Sequence, residues 1–152
     1  MNEPSRARAR AFDAYARSID TLPAAERVVM AYEGAIRFVE EAAGAIGRGE
    51  IEARFRASER ARAIVRTLEG ALDHERGGAI ATNLGRLYGY IERRLTDLNL
   101  ANDPAIAEEI AGLLRALRDG WAQLARAGGG SRPAAAGSGE TAPARATLAL
   151  SA

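Results

Sequence analysis

The chain contains no cysteine and no lysine, and only one histidine and one tryptophan. Without cysteine there can be no disulfide framework, thiolate nucleophile, iron–sulfur cluster or cysteine zinc site. A reducing cytoplasm is compatible with that composition. Aromatic residues make up 5% of the sequence although 47% of it is hydrophobic, so alanine supplies much of the apolar content. Helices accept that mixture more readily than pleated sheets do. No run approaches the roughly 20 apolar residues that span a bilayer, and the opening MNEPSRARARAF lacks the apolar stretch of a signal peptide. The expectation is a protein of the cytoplasm with no membrane insertion. All 21 basic residues apart from the histidine are arginine, against 20 acidic ones, for a formal net charge of +1. Nucleic acid ordinarily requires more concentrated positive charge, so it is not an expected partner.

What the sequence does contain is a helical repeat of apolar residues. Val28, Tyr32, Ile36, Val39, Ala43 and Ile46 recur every three or four positions, with Pro23 suited to the first turn and Gly47 to the stop. Ile51, Phe55, Ser58, Ala61, Val65, Leu68 and Leu72 mark a second stripe. In the segment DHERGGA, Gly77 and Gly78 can turn the chain without a β-carbon penalty. A third stripe follows through Ile80, Leu84, Leu87, Ile91, Leu95 and Leu98, and a fourth through Ile106, Ile110, Leu113, Leu117, Trp121 and Leu124. Asp103 can cap the fourth helix, with Pro104 in its first turn. Segments with one apolar face and short joins bury those faces most simply as an antiparallel four-helix bundle. The fold class is therefore all-α.

Two ends differ from this body. A short additional amino-terminal helix over 5–18 has a narrow apolar edge of Ala9, Phe12, Tyr15 and Ile19, and would need to dock on the bundle. After Arg126 the composition changes: 18 of the 25 residues from 128 to 152 are Gly, Pro, Ala or Ser. They offer too little side-chain area to offset the entropy of ordering them. The expected division is a helical domain over 1–127 and a disordered, flexible tail over 128–152.

Residues able to support catalysis are scattered. His74 lies between Asp73 and Glu75 with no second histidine, which suits a helix end rather than a metal site. Ser58 has no evident histidine–acid relay and sits on an apolar stripe. Glu40–Glu41 and Glu108–Glu109 are adjacent pairs whose members diverge by about 100° around a helix. The GRG and GGG strings lack the strand, helix and lysine of a phosphate loop. RARAR at 6–10 is the densest basic cluster, flanked by Glu3 and Asp13, with nucleic acid and an anionic membrane surface as minor readings. The chain is expected to be no enzyme, with no cofactor and no metal.

The segment LDHERGGAIATNLGRLYGYIERRLTDLNLAND, residues 72–103, resembles the central signature of the flagellar secretion chaperone family FliS. The ERGG turn, the IAxxL run, LYxYxxRRL and NLxND occur together. LLRALRDGW at 113–121, DAYARS at 13–18 and MAYEGAIRF at 30–38 are similar to further family segments, so the resemblance covers about residues 12–125. It implies a cytoplasmic chaperone that binds the disordered carboxy-terminal segment of flagellin, blocks premature polymerisation and assists delivery to the flagellar export apparatus. An export-gate component is a second candidate partner, and a non-catalytic helical adaptor for another protein client is the alternative. The oligomeric state stays open.

Candidates for client contact or switching are Tyr15, Tyr88, Tyr90, Arg93, Arg94, Asn99 and Asn102. Simple packing is the competing role for Tyr15, a solvated face for Arg93 and Arg94, and helix termination for Asn99 and Asn102. Tyr88 and Tyr90 diverge by about 200° around a helix, so one of them is expected to face outward. The bundle-core candidates are Ile80, Leu84, Leu87, Ile91, Leu95, Leu117 and Trp121. Gly85 and Gly89 are helical glycines whose small profile could leave a groove for a partner.

Overall fold

The computed structural model describes residues 24–130, together with Arg6. Apart from Arg6, the expected amino-terminal helix lies outside the described residues, and Tyr15 with it. So does the tail beyond Gly130. Four helices make up the described chain: α1 (Ala24–Gly47), α2 (Ile51–Gly70), α3 (His74–Ala101) and α4 (Pro104–Gly130). Links of two or three residues join them, so chain neighbours run antiparallel. Helix α1 packs against α2 and α4, and α3 closes the ring against those same two helices.

Local chemistry sets each boundary. Helix α1 closes after Gly47, but the residue that turns the chain is Gly49, at φ +70°. The Glu50 N–H donates to the Ala45 carbonyl at 2.9 Å and the Gly49 N–H to that of Ile46 at 3.1 Å, a Schellman closure. At the start of α3 the Asp73 carboxylate accepts from the Arg76 N–H at 3.0 Å. That cap begins the helix six residues before the expected Ile80. The glycine pair breaks the helical run at its second member, as expected: Gly78, at φ 49° and ψ −123°, is non-helical and kinks the chain between the first turn, where Gly77 is buried, and the rest of α3. Asn102 ends α3 in the left-handed conformation at φ 53°, its N–H donating to the Leu98 carbonyl. Asp103 then opens α4, its carboxylate accepting from the Ala105 N–H at 2.9 Å. Helix α4 continues to Gly130, through the first three residues assigned to the tail.

The core is made of Val28, Tyr32, Ile36 and Val39 from α1, Ala57, Ala61, Val65 and Leu68 from α2, Tyr88, Ile91, Leu95 and Leu98 from α3, and Ile106, Ile110, Leu114 and Trp121 from α4. Of the expected core residues, Ile91 and Leu95 are fully buried and Trp121 nearly so. Leu84, Leu87 and Leu117 are half-buried and pack against the core from its margin. Ile80 is exposed: it lies just beyond the Gly78 kink, where the inward positions of α3 are Gly77 and Ala81. Of the expected second stripe, Ser58, Ala61, Val65, Leu68 and Leu72 are buried; its first two members, Ile51 and Phe55, are exposed, and Arg54 and Ala57 are buried beside it instead.

Candidate functional site

Burying Arg54 and Ser58 requires hydrogen-bonding partners, and α3 supplies them. The Arg54 Nε–H donates to Asn99 Oδ1 at 3.3 Å and Nη1–H to Asn102 Oδ1 at 2.5 Å. Asn99 Nδ2 donates to Ser58 Oγ at 2.8 Å, and that hydroxyl lies 2.9 Å from the Phe55 carbonyl, which can take its proton. Both asparagines therefore tie α3 to α2, and Asn102 also supplies the helix cap. Their amide groups are occupied within the bundle. Among the described residues no buried side-chain nitrogen or oxygen lacks a partner.

Further along the same seam, the α2 arginines reach across to α3. Arg62 bonds the Glu92 carbonyl at 3.2 Å and Thr96 Oγ1 at 3.0 Å, and pairs with Glu59 on its own helix. Arg66 pairs with the Glu92 carboxylate at 3.1 Å. A shallow polar groove of about 300 Å³ runs here, lined by Arg62, Glu69, Gly89, Glu92, Arg93 and Thr96. Burial and the nearby Glu92 carboxylate raise the Glu69 carboxyl above its ordinary range. A Cβ at Gly89 would meet only the tip of Arg93, and one at Gly85 would touch Leu72 and His74 at ordinary contact distances. Neither glycine is required by close backbone packing.

The opposite seam of α3 is also polar. Tyr90 donates to Glu109, and Arg94 binds the same carboxylate through Nε and Nη2 at 3.1 and 2.8 Å while also pairing with Asp97. The Tyr90 hydroxyl and the Arg94 guanidinium hold the Glu109 carboxyl below its ordinary pKa. Arg94 is thus committed to the fold, whereas Arg93 is exposed and forms no ion pair among the described residues.

Tyr88 points the other way and is fully buried, so it offers a client no surface. Its hydroxyl is hydrogen-bonded to that of Tyr32 across the core, with ring centroids 6.5 Å apart. Burial pushes the Tyr32 phenol up to about 12 and raises that of Tyr88 as well. The outward tyrosine of the pair is Tyr90, 38% exposed. Sequence periodicity favoured Ile80 and Leu84 over Tyr88 because it cannot see a partner 56 residues away.

The exposed apolar side chains of α2 and α3 are Ile51, Phe55, Ile80, Tyr90 and Leu100, spread along the two helices, with Arg93 in the groove toward α2 and Tyr90 on the seam toward α4; Tyr88, Asn99 and Asn102 are engaged within the bundle. Ile51 and Phe55 were legible as apolar residues one turn apart at the start of the expected stripe, and nothing in their spacing marked them as exposed. Among the described residues, no group of three or more His, Asp or Glu side chains is placed to hold a metal ion, and no helix is long and apolar enough to cross a membrane.

These features define a helical scaffold whose chemistry lies in its outer surface. The family described as "Flagellar protein FliS" matches residues 8–128, and the chain belongs to that family. It is 38% identical over 98 residues to the flagellar secretion chaperone FliS of Salmonella typhimurium, a match covering 64% of this chain and 73% of that one. The flagellar secretion chaperone FliSB of Pseudomonas aeruginosa is 37% identical over 89 residues, covering 59% and 71% of the two chains. The Bacillus subtilis FliS is 30% identical over 106 residues, covering 70% and 78%.

Proposed function

We propose that this chain is a cytoplasmic secretion chaperone for flagellin. It receives the disordered carboxy-terminal segment of flagellin on its outer surface, blocks premature polymerisation and assists delivery to the flagellar export apparatus. The observation that carries this reading is the family match over residues 8–128, supported by relatives named as flagellar secretion chaperones in three bacteria. The physical requirement is a folded body with exposed apolar side chains. Burial at about 25 cal/mol per Å² offsets the entropy lost when a flexible client is ordered. Ile51, Phe55, Ile80, Tyr90 and Leu100 supply such side chains without opening the core. Covering the client's assembly segment withholds it from other flagellin molecules, and helix-in-groove or extended docking needs no bond chemistry.

The test is titration with full-length flagellin and with flagellin truncated at its carboxy terminus. One-to-one binding of the full-length protein alone, with suppressed filament assembly, is the expected result. Equal binding of both forms would overturn the assignment of the bound segment, and absence of binding would overturn the client.

A further inference from the structure

At the corner where α2 begins, the packing of the bundle leaves a guanidinium without a carboxylate and two apolar side chains exposed. Ile51 and Phe55 stand one turn apart, 64% and 53% exposed, and with Glu52, Arg54 and Arg56 they line a depression of about 360 Å³. Leu100, also exposed, lies on α3 between the two asparagines that Arg54 touches.

Arg54 is 8% exposed, yet no carboxylate among the described residues pairs with it. Its Nε and Nη1 donate to neutral amides and its Nη2 makes no hydrogen bond. Because no fully buried side-chain nitrogen lacks a partner, Nη2 is not fully buried. A desolvated guanidinium held by amides retains its whole charge, and its strongest available partner is a carboxylate. Arg56 adds a second positive group at the rim. Glu52 is the one acid in the lining; it sits in the first turn of α2, where the helix's own amino end favours negative charge, and pairs with neither arginine. Arg48, in the adjoining link, is paired with Glu50.

We propose that this corner docks a segment of a partner protein in which an Asp or Glu is flanked by apolar side chains, the carboxylate meeting Arg54 Nη2 and the apolar groups covering Ile51 and Phe55. The apolar wall distinguishes this occupant from a bare anion. The inference fixes the chemistry of the occupant and stands apart from whether flagellin is the client.

The experiment uses the full chain and a short synthetic helical peptide carrying two leucines one turn apart with a glutamate between them, and its glutamine counterpart. The glutamate peptide is expected to bind about tenfold more tightly than the glutamine peptide, with the difference shrinking as salt is raised. Phe55→Ser, a change at an exposed position, is expected to weaken both peptides. Arg54→Gln, checked for an intact melting transition, should abolish the preference for glutamate. Failure of the glutamate peptide to bind, equal binding of the two peptides, or unchanged binding by Phe55→Ser would overturn the proposal. Displacement of the peptide by inorganic phosphate at equal concentration would also overturn it, by showing a site for anions alone.

Discussion

Helices α1 and α3 face each other across the bundle and are held in different ways. Helix α1 buries Val28, Tyr32, Ala35, Ile36, Val39, Ala42 and Ala45, and its seams with α2 and α4 are mostly apolar. Helix α3 has a narrower buried stripe, and arginines bridge its flanks: Arg54, Arg62 and Arg66 from α2, and its own Arg94 to Glu109 on α4. Apolar seams resist water uniformly, whereas polar bridges can exchange one partner for another at small net cost. The α2–α3 side therefore depends on polar bridges more than the seams of α1 do.

The most severe way to erase the contrast is to damage the stripe that α3 does possess. Leu95→Ala is expected to cost about 2 to 5 kcal/mol, read as a fall in the denaturant midpoint, because Leu95 is fully buried. Arg62→Ala should cost about 1 to 3 kcal/mol, since it strips donors from the Glu92 carbonyl and Thr96 while baring apolar surface under the arginine stem. A comparable loss from Arg66→Ala, whose side chain is largely exposed, would contradict the view that burial makes Arg62 important.

Tyr88→Phe should be milder, about 1 kcal/mol, since the ring continues to pack against Tyr32. The same phenols govern alkaline behaviour. Their folded pKa values are raised by burial, with Tyr32 at about 12 against the ordinary 10.0, so the stability they confer is complete below pH 10 and falls as pH rises toward 12. Tyrosinate absorbance should show these two ionising together with unfolding, while Tyr90, whose phenol is also raised by its hydrogen bond to Glu109, is outside the core and can ionise without it. Ionisation of all tyrosines before any loss of helicity would refute a buried pair.

The smallest expected effect is at the α3–α4 flank. Glu109 has a depressed folded pKa, so its contribution is present above the ordinary carboxyl range and is lost as pH falls through the folded value. Glu109→Gln should flatten that acid-side slope and change the neutral-pH midpoint little.

The four helices were legible because their apolar residues recur with helical spacing, and the cap at Asp103 followed from a short polar side chain before proline. Helix α2 shows where such spacing fails. Ile51 and Phe55 have the right period and hydrophobicity and lead into the buried Ser58, Ala61, Val65 and Leu68, but stay exposed, while beside them Ala57 is small enough for close packing and Arg54 becomes buriable only because Asn99 and Asn102 are 45 and 48 residues away. In α3 the glycine pair marked the break that Gly78 makes, while the Asp73 cap adds a helical turn upstream of it that the apolar spacing from Ile80 did not register. The candidate site was less legible for the same reason: Tyr88, Asn99 and Asn102 look available in one dimension and are occupied in three.

Trp121, the chain's one indole, is 7% exposed and sits about 25 Å along α4 from its amino end. That position makes it an intrinsic optical gauge of the far half of the bundle. A ligand seated at the start of α2 should leave its emission spectrum unmoved, while any event that parts α4 from α1 should shift it to the red, so one cuvette separates occupancy from unfolding without a label.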